Sequence, residues 1–404
     1  MNMVSPQSRK PTLMITVCAC LTLGVVVAAD LHPSIQYRSA ERGWLYVVTS
    51  GSDDGAGRIV IVDPKAGRVV GRLLLRGSQP DIVPSLDGAR LFVSYDTHKG
   101  EVVGGAFEVI DTADGSVLYH REEAESRGGM GGAYQSRMAL SNDGGLLFRF
   151  KSWTSDISGT SYWIETFDTV RSRMLADKAV LPVCGSATIY PAMQRTVLFV
   201  VCPQSEDVRI LTLTASGGLG TARPPRVSLG PGLKPGFPPA VLMQDGGRSL
   251  TVIKSDGSVL KLDTETGGVV LREAIDRSRR QVSIPEEHAP IGRRAKSPSP
   301  TDWLARRAIH GAGASVSADG STLFVNVISE TGSAILILNA LTFEQLRTIP
   351  YRARYVTFAL NSDGNRLYTV DHSSGLVSVI DVASGAEPRS INVGSRPVFA
   401  VVAQ

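Results

Sequence analysis

The chain has 404 residues, 43% hydrophobic and 20% charged, which is the composition of a folded protein with ample material for a core and excludes a disordered chain. Lys and Arg number 42 against 38 Asp and Glu, a formal charge of +4 that falls to +2 when Arg9 and Lys10 are set aside. So small an excess leaves no basic footprint, and no nucleic-acid partner is expected.

Arg9 and Lys10 precede Leu13 to Ala29, 17 residues without a charge, and Val27-Ala28-Ala29 places small or modest side chains ahead of Asp30. The pattern predicts a signal peptide over residues 1–29, followed by one folded domain over residues 30–404. An uncleaved membrane anchor is the competing reading, because 17 residues is the lower edge of spanning length. Cys20 after Val17-Cys18-Ala19 offers a third, a lipid-modified cysteine. All three place the domain outside the cytoplasm, and a periplasmic location is expected.

Beyond the leader one supersecondary unit recurs. A β-rich run, a polar turn, a second run and a small-residue turn appear at Leu45 to Gly67, Leu91 to Gly115, Leu146 to Arg171, Val197 to Gly217, Leu250 to Gly267, Leu323 to Leu341 and Leu367 to Gly385. In the last copy Val356 to Leu360 reads as a first strand, Arg366 to Val370 as a second, Leu376 to Asp381 as a third and Arg389 to Val393 as a fourth. Asp-Gly turns recur at Asp87-Gly88, Asp143-Gly144, Asp245-Gly246, Asp319-Gly320 and Asp363-Gly364, as tight hairpins need. Their acids lack the dense spacing of a calcium loop. Seven such units predict an all-β fold, a seven-bladed β-propeller of four-stranded antiparallel blades. The first unit starts at Trp44 with no strand before it, while Arg396 to Ala403 continues past the last. That final run is expected to join the first blade and close the ring.

Two segments depart from the repeat. Glu122 to Tyr134 carries Arg127-Gly-Gly-Met-Gly-Gly-Ala133 without the Gly-Lys-Ser/Thr of a phosphate loop, and reads as a connection. Residues 276–311 form a basic insertion between the fifth and sixth units, with eight Arg and Lys against four acids. Four prolines interrupt its middle, Thr301 to Ile309 is expected as a short helix, and Trp303 is its candidate partner-facing anchor.

Without the leader two cysteines remain, Cys184 and Cys202. An even count in an exported chain suggests a disulfide, and a hairpin turning at Pro191 to Thr196 would bring the two close. Two buried free thiols are the alternative. The six histidines show no metal spacing and no haem-attachment motif, and no nucleophile elbow is present. His98 and His372 are expected in equivalent turns, where loops of a propeller face can converge. No catalytic, cofactor-binding or metal residue is assigned.

Trp44-Leu-Tyr-Val-Val-Thr49 and Leu367-Tyr-Thr-Val370 with Val377-Ser-Val-Ile-Asp381 resemble the Tyr-Val-Thr-Asn propeller group, a likeness of fold. Nearly the whole exported part also resembles the heavy (β) chain of periplasmic quinoprotein amine dehydrogenases of the methylamine and aromatic-amine type. The residues carrying this are Ile59 to Gly71, Val180 to Cys184 with Val200 to Cys202, and Leu262 to Gly267 followed by the long insertion with Trp303. The resemblance implies an intrablade disulfide at Cys184 and Cys202. It also implies a non-catalytic scaffold whose tryptophan-derived quinone (TTQ) lies in a separate disulfide-rich light chain. The expected assembly is a heterotetramer that oxidises primary amines and passes electrons to a cupredoxin or cytochrome c. The second reading is a cell-envelope binding propeller with no redox role.

Overall fold

A computed structural model describes residues 40–403 except 51–55, 100–101, 124–132, 156–158, 183, 185–186, 193–196, 215–216, 221–224, 231–238, 276–307, 330–331, 352–355, 385–388 and 395. The described strands form seven separate four-stranded sheets, each antiparallel. They are the seven blades expected. First strands of successive blades lie against one another around a ring, and the fourth strands form the rim.

Blade 1 is Pro397–Val402, Leu45–Thr49, Arg58–Asp63 and Arg68–Leu74. Its first strand is the C-terminal run, with Leu45 opposite Val402 and Val48 opposite Phe399. Chain closure therefore removes the exposed edge that Leu45–Thr49 would otherwise present. Blade 2 is Ser78–Pro84, Arg90–Lys99, Val102–Asp111 and Val117–Glu123, and blade 3 is Ala133–Leu140, Leu146–Ser155, Gly159–Asp168 and Arg173–Leu181. Blade 4 is Thr188–Pro191, Val197–Cys202, Asp207–Thr212 and Arg226–Ser228, and blade 5 is Ala240–Gln244, Ser249–Ile253, Ser258–Asp263 and Val269–Ala274. Blade 6 is Ala308–Val316, Thr322–Ser329, Gly332–Asn339 and Gln345–Tyr351, and blade 7 is Val356–Leu360, Arg366–Asp371, Leu376–Asp381 and Arg389–Asn392.

The core is not one mass but a wedge in each seam between neighbours. Phe92, Phe107 and Val109 of blade 2 meet Leu147 and Phe167 of blade 3. Leu45, Val47 and Val60 of blade 1 meet Tyr368, Val370 and Val377 of blade 7. Each sheet thus buries both faces, which is why Leu45–Thr49 and Val197–Cys202 are near-continuous apolar runs rather than alternating ones.

One face of the ring carries the turns between first and second strands and those between third and fourth. Gly88, Gly144, Gly320 and Gly364 take positive φ there, as their Asp-Gly turns require. The fifth turn differs: Asp245 and Gly247, not Gly246, are left-handed, in a short 3-10 turn over Asp245–Gly247. The same face is stitched across seams by arginines. Arg90 donates to the carbonyl of Thr169, Arg347 to that of Val382, and Arg389 to that of Lys65.

Both departures from the repeat differ in extent from expectation. Ala308 and Ile309 pair with Ile328 and Val327, so they extend the first strand of blade 6 and no helix continues to Ile309. Backbone pairing to a neighbouring strand outweighs weak local helix preference there. Likewise Glu122, Glu123, Ala133 and Tyr134 are strand residues, which shortens the Gly-rich connection to residues 124–132.

Candidate functional site

The opposite face gathers the features that set this propeller apart. In an antiparallel blade the turn between second and third strands and the connection to the next blade emerge at the same edge. The described ends of the Gly-rich connection, Glu123 and Ala133, those of the basic insertion, Ile275 and Ala308, and His98, His372 and both cysteines therefore belong to one face. Trp303 and the rest of residues 276–307 of the insertion lie outside the described residues.

Cys184 and Cys202 are bonded, with Cα atoms 4.6 Å apart, and both are fully buried. Thr188 pairs with Val201 in the hairpin, which carries the connection from blade 3 back to the end of the second strand of blade 4. His372 lies in the expected turn and its Nδ1 is 3.0 Å from the carbonyl oxygen of Pro397, at the start of the closing strand. It fastens blade 7 to blade 1. His98 instead belongs to the long second strand of blade 2, opposite Val103, so the two histidines are not equivalent. The ladder of blade 2 runs on past the position at which the blade 7 hairpin has already turned.

The seam between blades 2 and 3 holds a buried ion cluster that motif reasoning missed. Leu147, Arg149 and Lys151 share one side of the second strand of blade 3, since side chains alternate along a strand. Leu147 joins the aromatic wedge, and the next two positions toward the site face are cations. Arg149 Nη1 lies 2.7 Å from Glu123 Oε1, and Lys151 Nζ lies 2.8 Å from Glu123 Oε2. Glu165 completes the group, 3.3 Å from Lys151 and 3.7 Å from Arg149. Arg149 also donates to Ser94 Oγ at 3.2 Å and stacks 4.2 Å from the Phe107 ring centroid. The Trp163 ring is 5.2 Å from Lys151 Nζ, and its Nε1 donates to Glu165 at 3.3 Å.

Burial alone would raise the Glu123 carboxyl, but Arg149 and Lys151 outweigh it and hold the group down at about 2. Burial lowers Lys151 from the usual lysine range, against the pull of Glu123 and Glu165. Two further carboxyls line blade 2 on this side. Asp81 accepts the Met138 N–H at 2.7 Å across the seam, and burial pushes it up to about 6 against the opposing effect of Arg137. Burial also raises Asp96, to about 7. The sequence signal for the cluster was the alternation Arg149-Phe150-Lys151 inside an otherwise apolar run, which puts two cations on a face already committed to packing.

Among the described residues no three His, Cys, Asp or Glu side chains gather as a metal-ligand set. Their exposed large hydrophobics include Leu74, Leu118, Val180, Val270 and Leu346, on the fourth strands of five different blades. They are spread round the rim rather than gathered on one face.

No protein-family model matches the sequence, and no curated protein sequence matches it either. Solved structures do match. The periplasmic gluconolactonase PpgL of Pseudomonas aeruginosa aligns at 16% identity with a TM-score of 0.60, over 89% of this chain and 99% of that one. A functionally unknown protein from Desulfotomaculum acetoxidans aligns at 12% identity and TM-score 0.56, over 90% and 99%. The dihydro-heme d1 dehydrogenase NirN, in complex with DHE, aligns at 14% identity and TM-score 0.50, over 92% and 78%. At these identities the likeness is one of fold, and none of the three is described as an amine dehydrogenase subunit. The chain is a seven-bladed β-propeller.

Proposed function

We propose that this chain is an exported scaffold propeller, acting as the heavy-chain-like subunit of a periplasmic amine dehydrogenase whose quinone resides in a separate light chain. The observation that carries this reading is the buried Cys184–Cys202 bridge within blade 4, at the place the sequence resemblance assigns to the heavy-chain disulfide. Two features agree with it. The described ends of the two departures, Glu123 with Ala133 and Ile275 with Ala308, lie on the same face as that bridge, which makes it the specialised face of this reading. Glu123, Arg149, Lys151 and Glu165 of the seam between blades 2 and 3 are engaged with one another, which suits a rigid platform. On this reading the light chain docks on the specialised face, and electrons leave the light chain for a cupredoxin or cytochrome c.

Native co-purification followed by amine-dependent dye reduction tests the proposal. The chain alone should turn over no amine, and activity should appear with a small cysteine-rich partner. Turnover by the single purified chain would refute the scaffold role. The spread of exposed apolar side chains around the rim favours a second reading, a cell-envelope binding propeller without redox function. Failure to recover any cysteine-rich partner would establish that reading in place of the first.

A further inference from the structure

The seam between blades 2 and 3 has two unlike halves. Side chains alternate along a strand, so the rows that meet across the seam follow from the register. Blade 2 contributes Phe92, Ser94 and Asp96 from its second strand and Val109, Phe107 and Gly105 from its third, each row running toward the specialised face. Blade 3 answers with Leu147, Arg149 and Lys151, and with Phe167, Glu165 and Trp163. The half near the short turns is therefore an aromatic wedge, in which the Phe167 ring lies 5.0 Å from that of Phe107 and 6.2 Å from that of Phe92. The half near the specialised face is charged. Ser94 and Gly105 leave room there, and Arg149 and Lys151 fill it, reaching Ser94 and Glu123.

The charges of that half pair off without using every acid. Arg149 and Lys151 meet Glu123 and Glu165, two cations with two anions. Asp81 and Asp96 lie on the same face of blade 2 as Ser94, Asp81 opposite it on the first strand and Asp96 two residues along the second. Asp96 is 5% exposed. Toward the rim, the fourth strands place Tyr119 opposite Val109, Arg121 opposite Phe107 and Lys178 opposite Glu165. Arg137 acts on Asp81 from the first strand of blade 3. With both aspartates ionised, this half of the seam holds four carboxylates to the two buried cations, and burial withholds the hydration that would offset the excess.

We propose that this half of the seam is an acid-tightened joint: protonation of Asp81 and Asp96 holds it closed, their ionisation lets it open more often, and the aromatic wedge is the pivot. The closed seam remains the ground state throughout, and pH sets how often blades 2 and 3 part at the specialised face. The inference concerns the propeller alone and holds with or without a docked partner.

The sign follows from the two settings of each acid. Burial raises Asp81 to about 6, against Arg137, the Met138 N–H and Arg149, and burial raises Asp96 to about 7. Solvent in the opened joint returns both to the ordinary 3.8. The closed joint therefore binds more protons than the open one between 3.8 and about 7, and it loses ground as pH rises through that window. Above about 7 the loss levels off. Glu123 has the opposite sign, falling from 4.5 to about 2 in the closed seam, so the joint also loosens as pH drops below 4.5. It should be tightest at about pH 4 to 5.

Amide hydrogen exchange of the exported chain, corrected for the intrinsic pH dependence of exchange, tests the joint. From about pH 5 to about pH 7.5, protection of residues 94–96, 105–107 and 149–151 should fall roughly tenfold or more, since each acid adds up to tenfold per pH unit. Residues 259–262 and 335–338, in the apolar seam between blades 5 and 6, should keep theirs. In Asp81→Asn/Asp96→Asn the protection of the joint should stay high and flat across that range. Should the double variant fail to fold, the place of the response in the parent still decides. A response of equal size in all seven blades, no response between those pH values, protection that rises with pH, or an unchanged response in the double variant would each overturn the proposal.

Discussion

Glu123 shows how one side chain in the seam sets both stability and its pH dependence. Its carboxyl is held below the usual range, from 4.5 to about 2, by Arg149 and Lys151 acting against burial. A depressed carboxyl contributes stability that is fully present above 4.5 and is lost as pH falls toward about 2. Glu123→Gln should therefore lower stability at neutral pH by about 3 kcal/mol, since it leaves Arg149 and Lys151 short of an anion in a dry seam. It should also flatten the acid limb of the unfolding curve in that window. Chemical denaturation from neutral pH to about pH 2 checks both effects, and a parent-like acid limb would show that Glu123 is not the titrating group. Asp81 has the opposite sign. Its carboxyl is raised from 3.8 to about 6, so it costs stability as pH rises through that interval. Asp81→Asn should keep an acceptor for the Met138 N–H and be at least as stable as the parent at about pH 8. None of this was legible as a motif. Arg149 and Lys151 read as cations in a strand, and only the neighbouring blade reveals that both are buried and paired.

The hairpin of blade 4 is stabilised at the level of the element. Cys184 and Cys202 are 18 residues apart, and closing a loop of that length restricts the unfolded chain by about 3 kcal/mol. The paired variant Cys184→Ala/Cys202→Ala should lose about that much stability and become insensitive to reductant. Unfolding with and without dithiothreitol measures it, and equal stability of parent and variant under oxidising conditions would refute a stabilising role. Chain order gave good access to this element. Ala187 to Tyr190 and Val197 to Val201 read as strands around a turn, within a residue of the Thr188–Pro191 and Val197–Cys202 that form, and the bridge was the expected one. The end of the basic insertion was less accessible. Ala308-Ile309-His310-Gly311 has no strand signature of its own, and it becomes a strand because residues of Thr322–Ser329 offer it a ladder.

At the scale of the whole ring, closure rests on a contact between the two ends of the described chain. Pro397–Val402 supplies the first strand of blade 1, the Ala403 N–H donates to the carbonyl of Trp44, and His372 ties the start of that strand to blade 7. Removing residues 397–404 would bare the edge of Leu45–Thr49 and open the apolar seam shared with blade 7. The truncated protein should aggregate or unfold over a broad, less cooperative transition. Calorimetry reads this directly, and a single sharp transition at the parent temperature would show that the ring does not depend on its closing strand.

The repeat, the number of blades and the closing strand could be read from the sequence because they rest on a local pattern repeated seven times, and the short hairpin made the cysteine pair an expectation that the fold then decided against two free thiols. Val377 to Asp381, for example, carries the same run-and-turn grammar as Ile59 to Asp63. The ion cluster, the place of Asp96 in the seam and the different settings of His98 and His372 were decided by tertiary structure alone. A blade strand packs on both faces, so its alternation does not tell which neighbour a polar side chain will meet. Glu123 and Arg149 are 26 residues apart and come together only when two finished blades dock. Whether a buried charge is neutralised or left alone is a property of that seam, and no single strand contains it.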